Sequence, residues 1–179
     1  MGNQFELRLS GSGGQGLILA GIILAEAAIN SGLNAIQTQS YGPEARGGAS
    51  KAEVIISDAE IDFPKVQDLN LFLALTQDAC DKYIKGINPN GIVVVDETIK
   101  VPEDVKAGKI YSLPILSTAS EKLGKGIVAN IVAIGVLTEL IDVLTREQVE
   151  AAVLARVPKG TIDLNRSALI EGYALVSNA

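Results

Sequence analysis

Histidine and tryptophan are both missing from this 179-residue chain, and there is a single cysteine, Cys80. Without histidine, the commonest general base and metal ligand is absent. With one cysteine, the chain alone can build no internal disulfide, no cysteine-rich zinc site and no iron–sulfur cluster. Cys80 itself reads as a small buried hydrophobe at the start of a helix, in preference to a reactive thiol. The longest apolar run, residues 127–141, is broken by Asn130, Gly135 and Glu139. It falls short of the roughly 20 apolar residues that span a bilayer. A secretory leader is not visible either, because a charged, strand-like start leads directly into glycines at Gly11. Basic charge is in deficit, with a net charge of −6. That leaves no footprint for nucleic acid and no attraction to an anionic membrane surface. The expected setting is the cytoplasm, and the chain is poorly equipped as a stand-alone redox or hydrolytic catalyst.

What the chain does have is apolar bulk: 47% of its residues are hydrophobic, which excludes a disordered chain and favours a well-buried sheet. The length is that of one domain, taken here as residues 1–179. Phe5, Leu7 and Leu9 alternate with Glu6, Arg8 and Ser10, the period of a strand. Residues 14–31 read as a helix, apolar almost all round and so buried against the sheet, with Gly32 as its stop. Strands are predicted over 34–39, 51–57 and 69–75, the last a near-continuous apolar run suited to a central parallel position. Thr76 is placed to cap a helix ending near Gly86. "NPNG" reads as a turn into the strand "IVVVD", and 109–113 gives one more strand. Helices are predicted over 117–123, 127–142 and 164–177, and Thr145-Arg146-Glu147-Gln148 is a capping box opening another to about Val157. Strands alternating with helices indicate a three-layer α/β/α domain with a mostly parallel or mixed central sheet and a Rossmann-like start.

Gly11-Ser12-Gly13-Gly14-Gln15-Gly16 fits G-x-G-x-x-G after a strand and before a helix. Glycines let the backbone turn sharply and let a phosphate approach the amides, and a helix N-terminus adds free N–H groups. These six residues are therefore the candidate cofactor-binding loop. The plainer reading is that the glycines only permit a tight strand–helix turn. A nicotinamide fingerprint would place an acid about 20 residues on, at the end of the second strand. Here that end reads Gln37-Thr38-Gln39-Ser40, with no acid before Glu44. No Gly-Lys-Ser/Thr follows the glycines, so this is not a Walker A loop.

A second loop is more specific: Tyr41-Gly42-Pro43-Glu44-Ala45-Arg46-Gly47-Gly48. It concentrates three glycines, an aromatic hydroxyl and an arginine where a simple connection needs only a few polar residues. Arg46 is the one side chain in it able to give a planar, bidentate set of hydrogen bonds to a carboxylate or phosphate. The alternative is an ordinary surface loop with a solvated ion pair. Because the loop follows the second strand, it is expected at the same sheet edge as the first glycine loop.

Together, "GSGGQG" and "YGPEARGG" at this separation make the chain resemble the gamma subunits of 2-oxoacid:ferredoxin (acceptor) oxidoreductases. The match continues through "ASKAEVIISDAEIDFP", "LALTQDACDKY", "NIVAIG" and "NRSALIEGY", and so covers nearly the whole chain. "EARGGASKAEV" is closer to the 2-oxoglutarate branch than to the pyruvate branch. The resemblance implies a non-catalytic subunit of a complex that converts a 2-oxoacid, CoA and oxidised ferredoxin to acyl-CoA, CO2 and reduced ferredoxin. It implies that thiamine diphosphate and the iron–sulfur clusters sit in partner subunits, that CoA is a co-substrate, and that ferredoxin is the acceptor. It also implies that no catalytic or metal-ligating residue lies in this chain. Tyr41, Gly42, Pro43, Glu44, Arg46, Gly47 and Gly48 become an interface or CoA-proximal loop. The competing reading is a stand-alone nucleotide- or dinucleotide-binding protein that uses Gly11 to Gly16.

Overall fold

The alternating start of the chain forms β1 (Gln4–Ser12) in the computed structural model, which describes residues 2–40 and 48–179. The apolar run behind the glycines forms α1 (Leu17–Asn30). That helix starts three residues later than its sequence pattern predicts, because Gly14 (φ 91°) and Gly16 (φ 77°) both take left-handed conformations. Gly32, at φ 83°, ends the helix as expected, and the Leu33 amide beyond it donates to the Ala28 carbonyl.

Then follow β2 (Asn34–Gln39), β3 (Ala49–Ser57), β4 (Leu69–Ala74) and α2 (Gln77–Tyr83), the last capped by the Thr76 hydroxyl on the Ala79 amide. "NPNG" is not a turn. It lies inside β5 (Ile87–Asp96), where Leu69 pairs with Ile87 but Leu71 pairs with Ile92, so the extra residues form a bulge. Gly91 permits it, since a Cβ there would stand 2.9 Å from the Asn70 carbonyl oxygen. After β6 (Lys109–Leu113), the helix expected over 117–123 is split. It consists of a short α3 (Ile115–Ser117) and a π-turn over Thr118–Lys122. The chain ends in α4 (Ala129–Leu140), α5 (Arg146–Arg156) and α6 (Ile162–Ser177). Thr145 and Gln148 form the predicted capping box.

The six strands make one mixed sheet in the order β2-β3-β1-β4-β5-β6. Only β3 runs against the others, antiparallel to both β1 and β2. One face carries Leu7, Leu9, Val54, Leu71 and Val94 against α1, α4, α5 and α6. The other carries Phe72, Val93 and Val95 against Cys80 and Ile84 of the α2 region and Ile99. Among the described residues the helical layers are thus very unequal, with the short α2 on the second face.

The heaviest helix contact is α4 on α6, made through glycine. A Cβ on Gly172 would stand 2.8 Å from the Gly135 Cα, and one on Gly135 would meet the Leu169 carbonyl oxygen at 2.5 Å. These two glycines lie in the "NIVAIG" and "NRSALIEGY" stretches, so there the shared sequence is a packing device. The amino-terminal half of α1 leaves Ile18, Leu19 and Ile22 only partly buried. The helix packs against the sheet as expected, but the described residues do not cover its whole apolar circumference.

Candidate functional site

Antiparallel pairing of β1 with β3 sets Gly11 opposite Ser50 and Ser12 opposite Ala49. The end of the first glycine loop therefore lies beside the point where the chain returns from the second. The Gly13 amide donates to the Gly48 carbonyl at 3.2 Å, which ties the two motifs together at one sheet edge. Tyr41, Gly42, Pro43, Glu44, Arg46 and Gly47 lie outside the described residues. Of the second motif, only Gly48 is placed.

Within the first loop each glycine answers a different need. A Cβ on Gly11 would fall on the Gln15 side chain, whose Oε1 accepts from the Ser12 amide at 2.8 Å. Gly14 has a left-handed φ and open space around it. Gly16 has a left-handed φ as well, and a Cβ there would come within 2.5 Å of the Asn130 Nδ2. That nitrogen donates to the Gly16 carbonyl at 3.2 Å, so the start of α4 holds the start of α1. Gly13 has no left-handed backbone.

The Ser12 and Gly13 amides are engaged by Gln15 and Gly48, and the Gln15 amide donates to the Ser12 carbonyl at 3.3 Å. The backbone donors left for an anion are mainly those at the amino end of α1, where the first N–H groups of a helix have no intrahelical acceptor. Beside the loop is a cavity of about 410 Å³ bounded by Ser12, Gly14, Leu17, Ile22, Ser40 and Ser50, and among the described residues no charged side chain lines it. The described residues present hydroxyls, backbone and apolar wall to a ligand.

The sheet order bears on the dinucleotide reading. β3 lies between β2 and β1, so the carboxyl end of β2 is two strands away from the loop, roughly 10 Å. Ser40 still borders the loop's cavity, but Gln37 to Ser40 bring no acid to it that could hold a ribose.

The other titratable groups near this edge serve the fold. Asp96, 1% exposed at the end of β5, accepts from the Thr98 amide and hydroxyl and from the Leu116 amide at 2.8 Å. Cys80 is fully buried, and burial, with the neighbouring Asp81 charge, pushes its thiol up to about 11. It stays protonated and inert near neutral pH, as its reading as a small hydrophobe requires. Among the described residues, no group of three or more Cys, Asp or Glu could hold a metal ion, and no helix is long and apolar enough to cross a membrane. Asn130 is the residue that sequence reasoning passed over. Its only signal was a polar side chain interrupting an apolar helical run.

The pyruvate ferredoxin/flavodoxin oxidoreductase family matches residues 6–175. The 2-oxoglutarate synthase subunit KorC of Methanocaldococcus jannaschii is 52% identical over 174 residues, covering 94% of this chain and 91% of that protein. The crystal structure of a keto/oxoacid ferredoxin oxidoreductase gamma subunit from Geobacter sulfurreducens superposes with a TM-score of 0.88 at 45% identity. The superposition covers 99% of this chain and 98% of that one. A second structure, the 2-oxoglutarate:ferredoxin oxidoreductase of Magnetococcus marinus with 2-oxoglutarate, coenzyme A and succinyl-CoA bound, shares the fold at 23% identity and a TM-score of 0.83. There, 98% of this chain matches only 31% of the longer one.

Proposed function

The chain belongs to the pyruvate ferredoxin/flavodoxin oxidoreductase family, and from that premise we propose that it is the gamma-type subunit of a 2-oxoglutarate:ferredoxin oxidoreductase of the cytoplasm. The observation that carries this reading is the end-to-end agreement with a 2-oxoglutarate synthase subunit, which leaves no large part of either chain unmatched. The complex would convert 2-oxoglutarate, CoA and oxidised ferredoxin to succinyl-CoA, CO2 and reduced ferredoxin. Thiamine diphosphate and the iron–sulfur clusters, which supply the carbon–carbon cleavage and the electron path, would be held by the other subunits.

This chain's own contribution is positional. Gly11, Ser12, Gly13, Gly14, Gln15 and Gly16 form one side of a rigid edge, fixed by Gln15 from within and by Asn130 from α4. Gly48, where the second motif ends, is bonded to Gly13 of that loop, and on this reading Tyr41 to Gly48 serve a partner subunit or CoA, with Arg46 as the donor fork. A stand-alone dinucleotide-binding role is disfavoured by the strand order and by the missing acid at the end of β2.

The test is to purify the tagged chain from its native cell and assay viologen reduction with a panel of 2-oxoacids and CoA. A stoichiometric assembly most active on 2-oxoglutarate is expected. Arg46→Ala should reduce retention in that assembly or raise its CoA requirement, and Arg46→Lys should restore it only in part. Recovery of a partnerless, inactive chain would refute the subunit assignment. Preference for pyruvate would refute the branch.

A further inference from the structure

The thinly covered face of the sheet carries a groove at the amino end of β5, the end of the parallel strands away from the glycine loop. Its volume of about 530 Å³ lies in the range of small-ligand sites. Three walls build it. The first is the end of α2, where Gly86 (φ 85°) turns the chain from Ile84 towards β5. The second is the start of β5, where the bulge leaves Pro89 without a strand partner beside Ile87. The third is the connection from β5 to β6, which contributes Pro102 and Val105. These walls are tied together. The Gln77 side chain of α2 donates to the Lys100 carbonyl and accepts from the Lys100 amide, both at 2.9 Å. The Gly108 amide donates to the Gly91 carbonyl at 2.8 Å, and a Cβ on Gly108 would stand 2.7 Å from the Asn90 carbonyl oxygen. The connection therefore lies tight against the bulge, and the hollow is part of the frame of the fold.

We propose that this groove binds an apolar α-amino acid. Ile84 belongs to the second core cluster, with Ile87 and Val105 packed against it, so the hollow is lined with hydrocarbon continuous with the core. Charges of both signs border it: Asp81, Lys85, Asp104 and Lys106, all exposed. Asp81 is engaged by Gln77 Nε2 at 2.8 Å. Among the described residues, the Lys85 and Lys106 ammonium groups and the Asp104 carboxylate have no hydrogen-bond or ion-pair partner. A ligand with anionic charge alone would meet the two carboxylates as well as the lysines, and a cationic one would meet both lysines. A zwitterion answers both signs at once, its ammonium at Asp104 and its carboxylate at Lys85 or Lys106. Charges standing on an apolar wall pair more strongly than on open surface. The side chain of the amino acid fills the hydrocarbon lining, and full burial of a leucine- or phenylalanine-sized group is worth roughly tenfold to hundredfold in affinity. No residue of this groove belongs to the glycine-loop site.

Calorimetric titration of the full chain with L-leucine and with L-phenylalanine tests this, against alanine, leucinamide and N-acetyl-leucine. Leucine and phenylalanine should each bind at one saturable site. Alanine lacks the apolar body, and leucinamide and N-acetyl-leucine each lack one charge, so each should bind about tenfold more weakly or worse. Asp104→Asn should weaken leucine binding by a similar factor, and so should the Lys85→Ala/Lys106→Ala double variant. All three positions are exposed, so the melting temperature should not change. No saturable binding of either amino acid, or binding that survives both variants, would overturn the proposal. Binding of N-acetyl-leucinamide as tight as that of leucine would overturn it too, because the groove would then take a side chain from within a polypeptide. The measurement needs no partner subunit and no turnover, so its failure would leave the subunit assignment standing.

Discussion

At the scale of single residues, the first glycine loop divides into positions with separable demands. Four glycines were legible as a motif, but their individual roles were not, because φ angles and cross-chain neighbours do not appear in a local pattern. Gly14 needs its glycine for backbone conformation alone. Gly16 needs it for conformation and for room beside Asn130, which is distant in sequence. Gly14→Ala should therefore cost about 1–2 kcal/mol, the usual penalty of a left-handed L-residue. Gly16→Ala should cost more, because the new Cβ also displaces the Asn130 amide and its bond to the Gly16 carbonyl. Urea unfolding followed by circular dichroism compares the two directly. Equal losses would mean that Asn130 moves aside freely and does not hold the loop. At Gly13 the φ is not left-handed, so the penalty that Gly14 and Gly16 would impose on a side chain does not apply. A function-only loss there would point to close approach of a partner.

At the scale of elements, what could be read locally was read well: the Thr76 and Thr145 caps, the apolar run of β4 and the stop at Gly32 all depend on a few neighbouring residues. What escaped was decided by distant partners. β3 enters between β2 and β1, and the turn-like "NPNG" becomes a bulge because β4 pairs on either side of it. The pairing of β1 with β3 is reinforced by the Arg8–Glu53–Lys51 cluster, and that gives it a pH dependence. Burial alone would raise the Glu53 carboxyl, but hydrogen bonds from Lys51 and Arg8 and their charges outweigh it and leave its pKa below the ordinary value of 4.5. A carboxyl lowered in the folded state adds stability that is present above its unfolded pKa. That stability is lost as pH falls through the folded one. Glu53→Gln should thus cost about 1–3 kcal/mol near neutral pH, the scale of hydrogen bonds to charged groups. The difference from wild type should shrink as the pH drops below about 4.5. Denaturant midpoints measured across that range give the comparison. A difference that stays constant down to acid pH would show that the cluster is solvated and carries no linkage.

At the scale of the whole molecule, the surface is less finished than the core. Ile18, Leu19 and Ile22 on α1 are only partly covered, and Ile127, 81% exposed, adjoins Leu19 and Val157 at a recess of about 230 Å³. Single exposed apolar residues are ordinary. A run of them on the helix that leaves the glycine loop fits a face that another surface covers. The thermodynamic consequence is a linkage. A partner that binds only the folded chain, present at about 100 times its dissociation constant, adds about 2.7 kcal/mol. For a domain of this size each kcal/mol raises the melting temperature by roughly 2–4 °C, so assembly should lift it by roughly 5–10 °C. Scanning calorimetry suits the measurement, because a chain without tryptophan offers little intrinsic fluorescence. Ile127→Lys should leave the isolated chain's transition within about 0.5 kcal/mol, as at other exposed positions. It should also reduce the increment gained on mixing with the partner subunits. If the variant melted early on its own, the side chain would belong to the core in solution. If it kept the full increment, the covered face would lie elsewhere on the molecule.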